Sequence, residues 1–117
     1  MINLLFIGYG SISIKLIYNL QKIKKKIHYF ILSRKKKLIL KNTAKSNITH
    51  LKSLKNIKNK KISKIFICNG SNEHLRYLNL TKNISKYIFI EKPLSDNLSK
   101  FKNIKLKNFK SHKIQIG

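Results

Sequence analysis

At 117 residues and a formal charge of +24, the chain is long enough for one domain burying roughly two-thirds of its surface, and 42% apolar residues can supply its core. No apolar run approaches the ~20 residues of a membrane span, and the single cysteine, Cys68, excludes an internal disulfide and suits a reducing, cytoplasmic setting. Of the 27 basic residues only Arg34 and Arg76 are arginine, the residue type that bidentate phosphate and guanine contacts favour.

The lysines are spread along the chain, with short runs at Lys24–Lys26 and Lys35–Lys37. They predict a solvated surface whose affinity for polyanions is indiscriminate and lost at physiological salt. A small basic nucleic-acid-binding protein is the alternative reading, and it requires selective binding that survives such salt.

In chain order the pattern alternates strand and helix, as in a parallel sheet with crossover helices. Ile2–Ile7 is a near-continuous apolar run ending at Gly8, as in a strand buried on both faces. With no basic segment before it and no small-residue cleavage site, Met1–Gly10 reads as a strand rather than a leader. Ile12, Leu16, Leu20 and Ile23 recur at helical spacing, and Lys22–Lys26 place cations near the end of that helix. Ile27–Leu32 is a second strand ending at Ser33–Arg34. A helical turn at Leu38–Leu40 and a short third strand at Asn47–Thr49 follow. Leu51, Leu54, Ile57 and Lys58 suggest a short helix.

Ile62–Cys68 is predicted as the fourth strand, ending at Asn69–Gly70. Asn72 can cap a helix carrying Leu75 and Leu78. Tyr87–Ile90 is the fifth strand. Ser95 or Asp96 then caps a helix with Leu98, Phe101 and Ile104, and Lys113–Ile116 begins a sixth strand. The predicted architecture is a Rossmann-type doubly wound parallel sheet of about six strands with helices on both faces, occupying residues 1–117 as one domain.

Four strand ends carry candidate chemistry. Gly8-Tyr9-Gly10-Ser11-Ile12-Ser13 follows the first strand and opens the first helix, where a dinucleotide-binding turn stands. Gly8 permits the tight turn, Gly10 lets a pyrophosphate approach the backbone at the helix N-terminus, and Ser13, in place of a third glycine, stays small enough for close packing. An acid about 20 residues beyond the glycines would select NAD. Here the second strand ends at Ser33-Arg34-Lys35, which suits a 2′-phosphate and favours NADP, with NAD as the alternative. The loop Asn69-Gly70-Ser71-Asn72-Glu73-His74 falls at the same sheet edge, with His74 in the first turn of the next helix. Glu91-Lys92-Pro93 closes the fifth strand; it holds one of only three acids and the only proline.

With these landmarks in order, the whole chain resembles the N-terminal half of the Gfo/Idh/MocA family, named for glucose-fructose oxidoreductase and inositol dehydrogenase. Glu91-Lys92-Pro93-Leu94 is the most specific match; Asn69-Gly70 replaces the family's usual Thr-Pro. The resemblance implies an NAD(P)-dependent oxidoreductase acting on sugars, inositols or related compounds. It implies cofactor contacts from Gly8, Tyr9, Gly10, Ser11, Ile12, Ser33, Arg34, Asn69, Asn72, His74 and Glu91, with Glu91 at the nicotinamide ribose. It makes Lys92 the catalytic candidate, near the nicotinamide and the substrate hydroxyl. A cation there stabilises a developing alkoxide and can relay its proton, and burial would tune the lysine towards that role. Family members continue into a second α/β domain that supplies most of the substrate pocket and an Asp–His pair. A truncated or split gene product, or an inactive remnant, is therefore the expectation, with cofactor binding but doubtful turnover by this chain alone. No metal site, specific nucleic acid or membrane partner is expected.

Overall fold

The computed structural model describes residues 1–23, 26–36, 38, 47–57, 59–96 and 106–117. Its frame is a six-stranded parallel sheet made of β1 (Ile2–Ile7), β2 (Ile27–Leu32), β3 (Ile48–Leu51), β4 (Lys64–Ile67), β5 (Tyr87–Ile90) and β6 (Lys113–Ile116). The spatial order is β3-β2-β1-β4-β5-β6, the doubly wound order whose winding reverses beside β1. Register is unbroken from Ile2↔Ile27 to Ile7↔Leu32 across β1 and β2, and from Leu4↔Lys64 to Ile7↔Ile67 across β1 and β4. All strands therefore bring their carboxyl ends to one edge.

The near-continuous apolar runs are explained by cover on both faces. Alternate residues of β1 enter different clusters. Leu5 and Ile7 pack with Phe30, Ile65, Ile67 and the helix residues Leu75 and Leu78. Leu4 and Phe6 pack with Tyr29, Ile31, Phe66 and Ile17 of the opposite helix. Phe6 is wholly buried and stacks on Phe66 with ring centroids 4.5 Å apart. Burying a side chain of this size contributes about 1.5–3 kcal/mol relative to leaving it exposed.

The first helix, α1 (Ser11–Leu20), departs from its expected face. Ser13 and Ile17 are its buried residues, Leu16 and Leu20 pack at the cluster margin, and Ile12 and Ile23 are exposed. The reason is local. Ser13 Oγ donates to Gly8 O at 2.8 Å, which turns the Ser13 side of the helix onto the sheet, and the helix stops before Ile23. Lys22 lies just beyond the helix, and Lys24 and Lys25 lie outside the described residues.

The second helix, α2 (His74–Thr81), buries Leu75 and Leu78 as expected, but Asn72 does not cap it. A 3₁₀ turn, Ser71–Glu73, comes first, and Glu73 occupies the cap position without a side-chain cap bond. The third strand runs through Leu51 rather than ending at Thr49, and the short helix after it is a 3₁₀ turn, Leu54–Ile57. β4 is shorter than Ile62–Cys68, although backbone bonds from Ser63 N to Asn3 O and Cys68 N to Ile7 O continue its pairing. Residues 39 and 40 of the expected turn at Leu38, Lys58, and the helix expected to carry Leu98, Phe101 and Ile104 lie outside the described residues. Among the described residues, no helix is long and apolar enough to cross a membrane.

Candidate functional site

The turn after β1 is fixed by steric contact. Gly8 adopts φ +95°, and a Cβ there would stand 2.8 Å from Asn69 Cα and 2.9 Å from Asn69 N. No L side chain fits that conformation and that gap together. Gly8 N donates to Leu32 O at 2.8 Å, so one residue ties the ends of β1, β2 and β4 together. Gly10 is the opposite case. Among the described residues nothing lies within 4 Å of the position its Cβ would take. It is the N-cap of α1, and no side chain caps that helix. The open cradle above Gly10 therefore meets uncapped first-turn N–H groups, the arrangement that receives a phosphate.

A cleft of about 450 Å³ opens from this turn, lined among others by Gly8, Tyr9, Gly10, Leu32, Ser33, Arg34, Lys35, Asn69, Asn72 and Glu73. Its far mouth is charged. Arg34 Nη2 lies 3.7 Å from Glu73 Oε1, while Arg76 Nη1 donates to Glu73 Oε2 at 2.9 Å. The Glu73 carboxylate raises the Arg76 guanidinium above its ordinary value through that bond. Lys35 Nζ donates to Tyr9 O and lies 5.3 Å from the Tyr9 ring centroid. Ser33 Oγ accepts from Lys35 N at 3.2 Å. Within the cleft, Asn69 Oδ1 is buried without a hydrogen-bond partner among the described residues. A buried orphan acceptor is costly, and a ligand N–H or O–H would relieve it. The open cradle, the orphan acceptor and the cationic mouth together fit a dinucleotide.

Cys68, beneath the turn, is inert. Its thiol is pushed up to about 11, chiefly by burial; a hydrogen bond with Ser13 opposes the rise and the Glu91 charge adds to it. Beyond it, β5 is followed by Glu91, whose N–H donates to Ile67 O at 3.0 Å. The Lys92–Pro93 peptide is cis. Lys92 is exposed, so this chain does not supply the burial expected of it. His74 is only 1% exposed; its Nδ1 lies 2.8 Å from Pro93 O and its Nε2 2.7 Å from Asn69 O.

The structure thus brings Gly8, Tyr9, Gly10, Ser33, Arg34, Asn69 and Asn72 to one cleft. Ser11 and Ile12 start α1 beside it, His74 lies buried behind it, and Glu91 and Lys92 stand at the neighbouring strand end. Lys35, read from the sequence with Arg34 as a partner for a 2′-phosphate, also lines the cleft, whereas sequence reasoning missed Glu73 and Tyr77 as cleft residues. Glu73 and Tyr77 come from the β4–α2 segment, and only the fold places them against the end of β2.

The profile of an oxidoreductase family with an NAD-binding Rossmann fold matches residues 2–116. The chain belongs to this family, Gfo/Idh/MocA. Among solved structures it resembles scyllo-inositol dehydrogenase from Lactobacillus casei, crystallised with NAD(H) and scyllo-inositol. That match has TM-score 0.75 and 19% identity, and covers 100% of this chain and 36% of the other. A probable dehydrogenase from Thermotoga maritima matches at TM-score 0.74 and 21% identity, covering 99% and 36%. The probable oxidoreductase yhhX matches at 0.76 and 20%, covering 99% and 35%. The chain therefore spans little more than a third of these proteins. No curated protein matches it.

Proposed function

We propose that this chain binds NADPH, or NADH less tightly, in the cleft at the ends of β1, β2 and β4. We propose further that it serves as the nucleotide-binding domain of a cytoplasmic oxidoreductase acting on a sugar-like carbinol or carbonyl. One observation carries the reading: Gly8 is locked against Asn69 while the neighbouring Gly10 is open to at least 4 Å. A turn that only reverses the chain has no need of that empty cradle at a helix N-terminus. Family membership and the NAD(H) in the Lactobacillus casei enzyme support it.

Bound nicotinamide would supply hydride exchange. Gly10 and the first turn of α1 would hold the pyrophosphate, and Asn69 Oδ1 would accept from a cofactor hydroxyl or amide. Arg34 favours NADPH because its present partner is weak. Its side chain is 86% exposed and meets Glu73 at only 3.7 Å, and an exposed pair of that length holds little. A phosphate dianion offers charge-assisted, bidentate bonds instead. Lys92, at the end of β5, would stabilise the substrate oxygen and relay its proton. The substrate pocket and turnover would require a second domain.

Titration of purified protein with NADPH and NADH, followed by nicotinamide fluorescence, tests this. Saturable binding with NADPH tighter than NADH is expected. No saturable binding of either would refute the reading, and tighter NADH would refute the role of Arg34.

A further inference from the structure

Buried behind the cleft, His74 sits between two turns rather than in either. Nδ1 faces Pro93 O on the turn that follows β5, and Nε2 faces Asn69 O on the turn that follows β4. Both partners are carbonyl oxygens, which only accept. A neutral imidazole carries one N–H and one lone pair, so it can satisfy only one of them; the cationic ring donates to both. Turning the ring over would set carbon atoms against both oxygens and lose both bonds.

We infer that His74 is a positioning residue. It is a doubly protonated staple that holds the Glu91–Pro93 turn, and with it Lys92, in register with the Asn69 wall of the nucleotide cleft. The inference rests on the nucleotide-binding reading for its purpose, though not for the staple itself.

The placement supports this role. At 1% exposure His74 exchanges neither bond for water. It is the first residue of α2, whose Leu75 and Leu78 are anchored in the core, so the staple has a rigid base. The turn it holds is also tied at its start, where Glu91 N donates to Ile67 O at 3.0 Å. Lys92 N reaches Gly117 O at 3.4 Å, a long bond. The ionisable groups on the segments packed against it are Glu73, Arg76, Tyr77, Cys68, Glu91, Lys92 and Asp96. Of these, Glu73 is already engaged by Arg34 and Arg76. The hydrogen-bond partners of the ring are the two carbonyls, Pro93 O and Asn69 O.

The test uses the whole chain, uniformly ¹⁵N-labelled. Long-range ¹H–¹⁵N correlations report how many ring nitrogens of each histidine carry protons, and loss of one set in His74→Gln assigns His74. Two protonated nitrogens at neutral pH are expected; one protonated nitrogen overturns the staple. NADPH affinity should then fall in order from wild type through His74→Gln, which keeps one donor arm, to His74→Leu. The loss in His74→Leu should be about tenfold, as for a broken charge-assisted bond, and the Lys92 amide resonance should shift in both variants. Equal affinity in a folded His74→Leu overturns the positioning role. If that variant does not fold, the ring signature and His74→Gln decide. A wild type that binds no NADPH but shows two ring protons refutes the nucleotide reading and leaves the staple standing.

Discussion

The glycine turn after β1 and the Glu91–Pro93 turn after β5 lie on one sheet edge but are built differently. The first is set by backbone sterics. Gly8 is pressed against Asn69 at φ +95°, and Ser13 bonds back to it at 2.8 Å. The second leaves Lys92 exposed, tied by a 3.4 Å bond from Lys92 N to Gly117 and by His74 against Pro93. A site for an extended cofactor needs a rigid cradle at one end, whereas the end that meets substrate must stay open. In the proposed enzyme a second domain would close that end.

The contrast can be broken most forcefully at Gly8. Gly8→Ala should cost about 3 kcal/mol through left-handed strain and the clash with Asn69, a large part of the ~5–15 kcal/mol of an ordinary domain; urea unfolding measures it. Next comes the buried thiol under the same turn. Because Cys68 ionises near 11 in the fold against 9.0 ordinarily, the unfolded chain loses its proton first as pH rises. Stability should hold up to pH 9 and then fall by about 2–3 kcal/mol through pH 11. Cys68→Ala should flatten that slope in unfolding curves taken across the range.

Smaller effects sharpen the comparison. Arg34→Ala should weaken NADPH by about tenfold, the worth of a charge-assisted bond, and NADH by less than about twofold; parallel titrations check it. Lys92→Ala should be nearly silent in this chain. Unfolding free energy should change by less than about 0.5 kcal/mol, as for exposed positions generally, because that side chain is exposed.

The sheet was readable because burial on both faces leaves unbroken apolar runs, as in Ile2–Ile7 and Ile27–Leu32, and because Gly8 and Gly10 punctuate the first of them. The strand-end motifs then fell on one edge through the parallel order alone. What escaped depends on contacts between distant segments. Ser13 looked like a tolerated substitute for glycine, yet its hydroxyl turns α1 and so exposes Ile12. Glu73 looked like a loop acid, yet it meets Arg34 from across the cleft mouth. His74 looked like a residue facing the cofactor, and the fold turns it inward onto two carbonyls. No local periodicity encodes any of these three.

Gly10→Val offers the most direct measurement, with unfolding free energy and NADPH affinity taken on the same preparation. The side chain would project into space that is empty in the folded chain and that the pyrophosphate is proposed to occupy. Stability should change by less than about 1 kcal/mol while NADPH affinity falls at least about tenfold. Unchanged NADPH affinity in the folded variant would contradict cofactor binding at this turn.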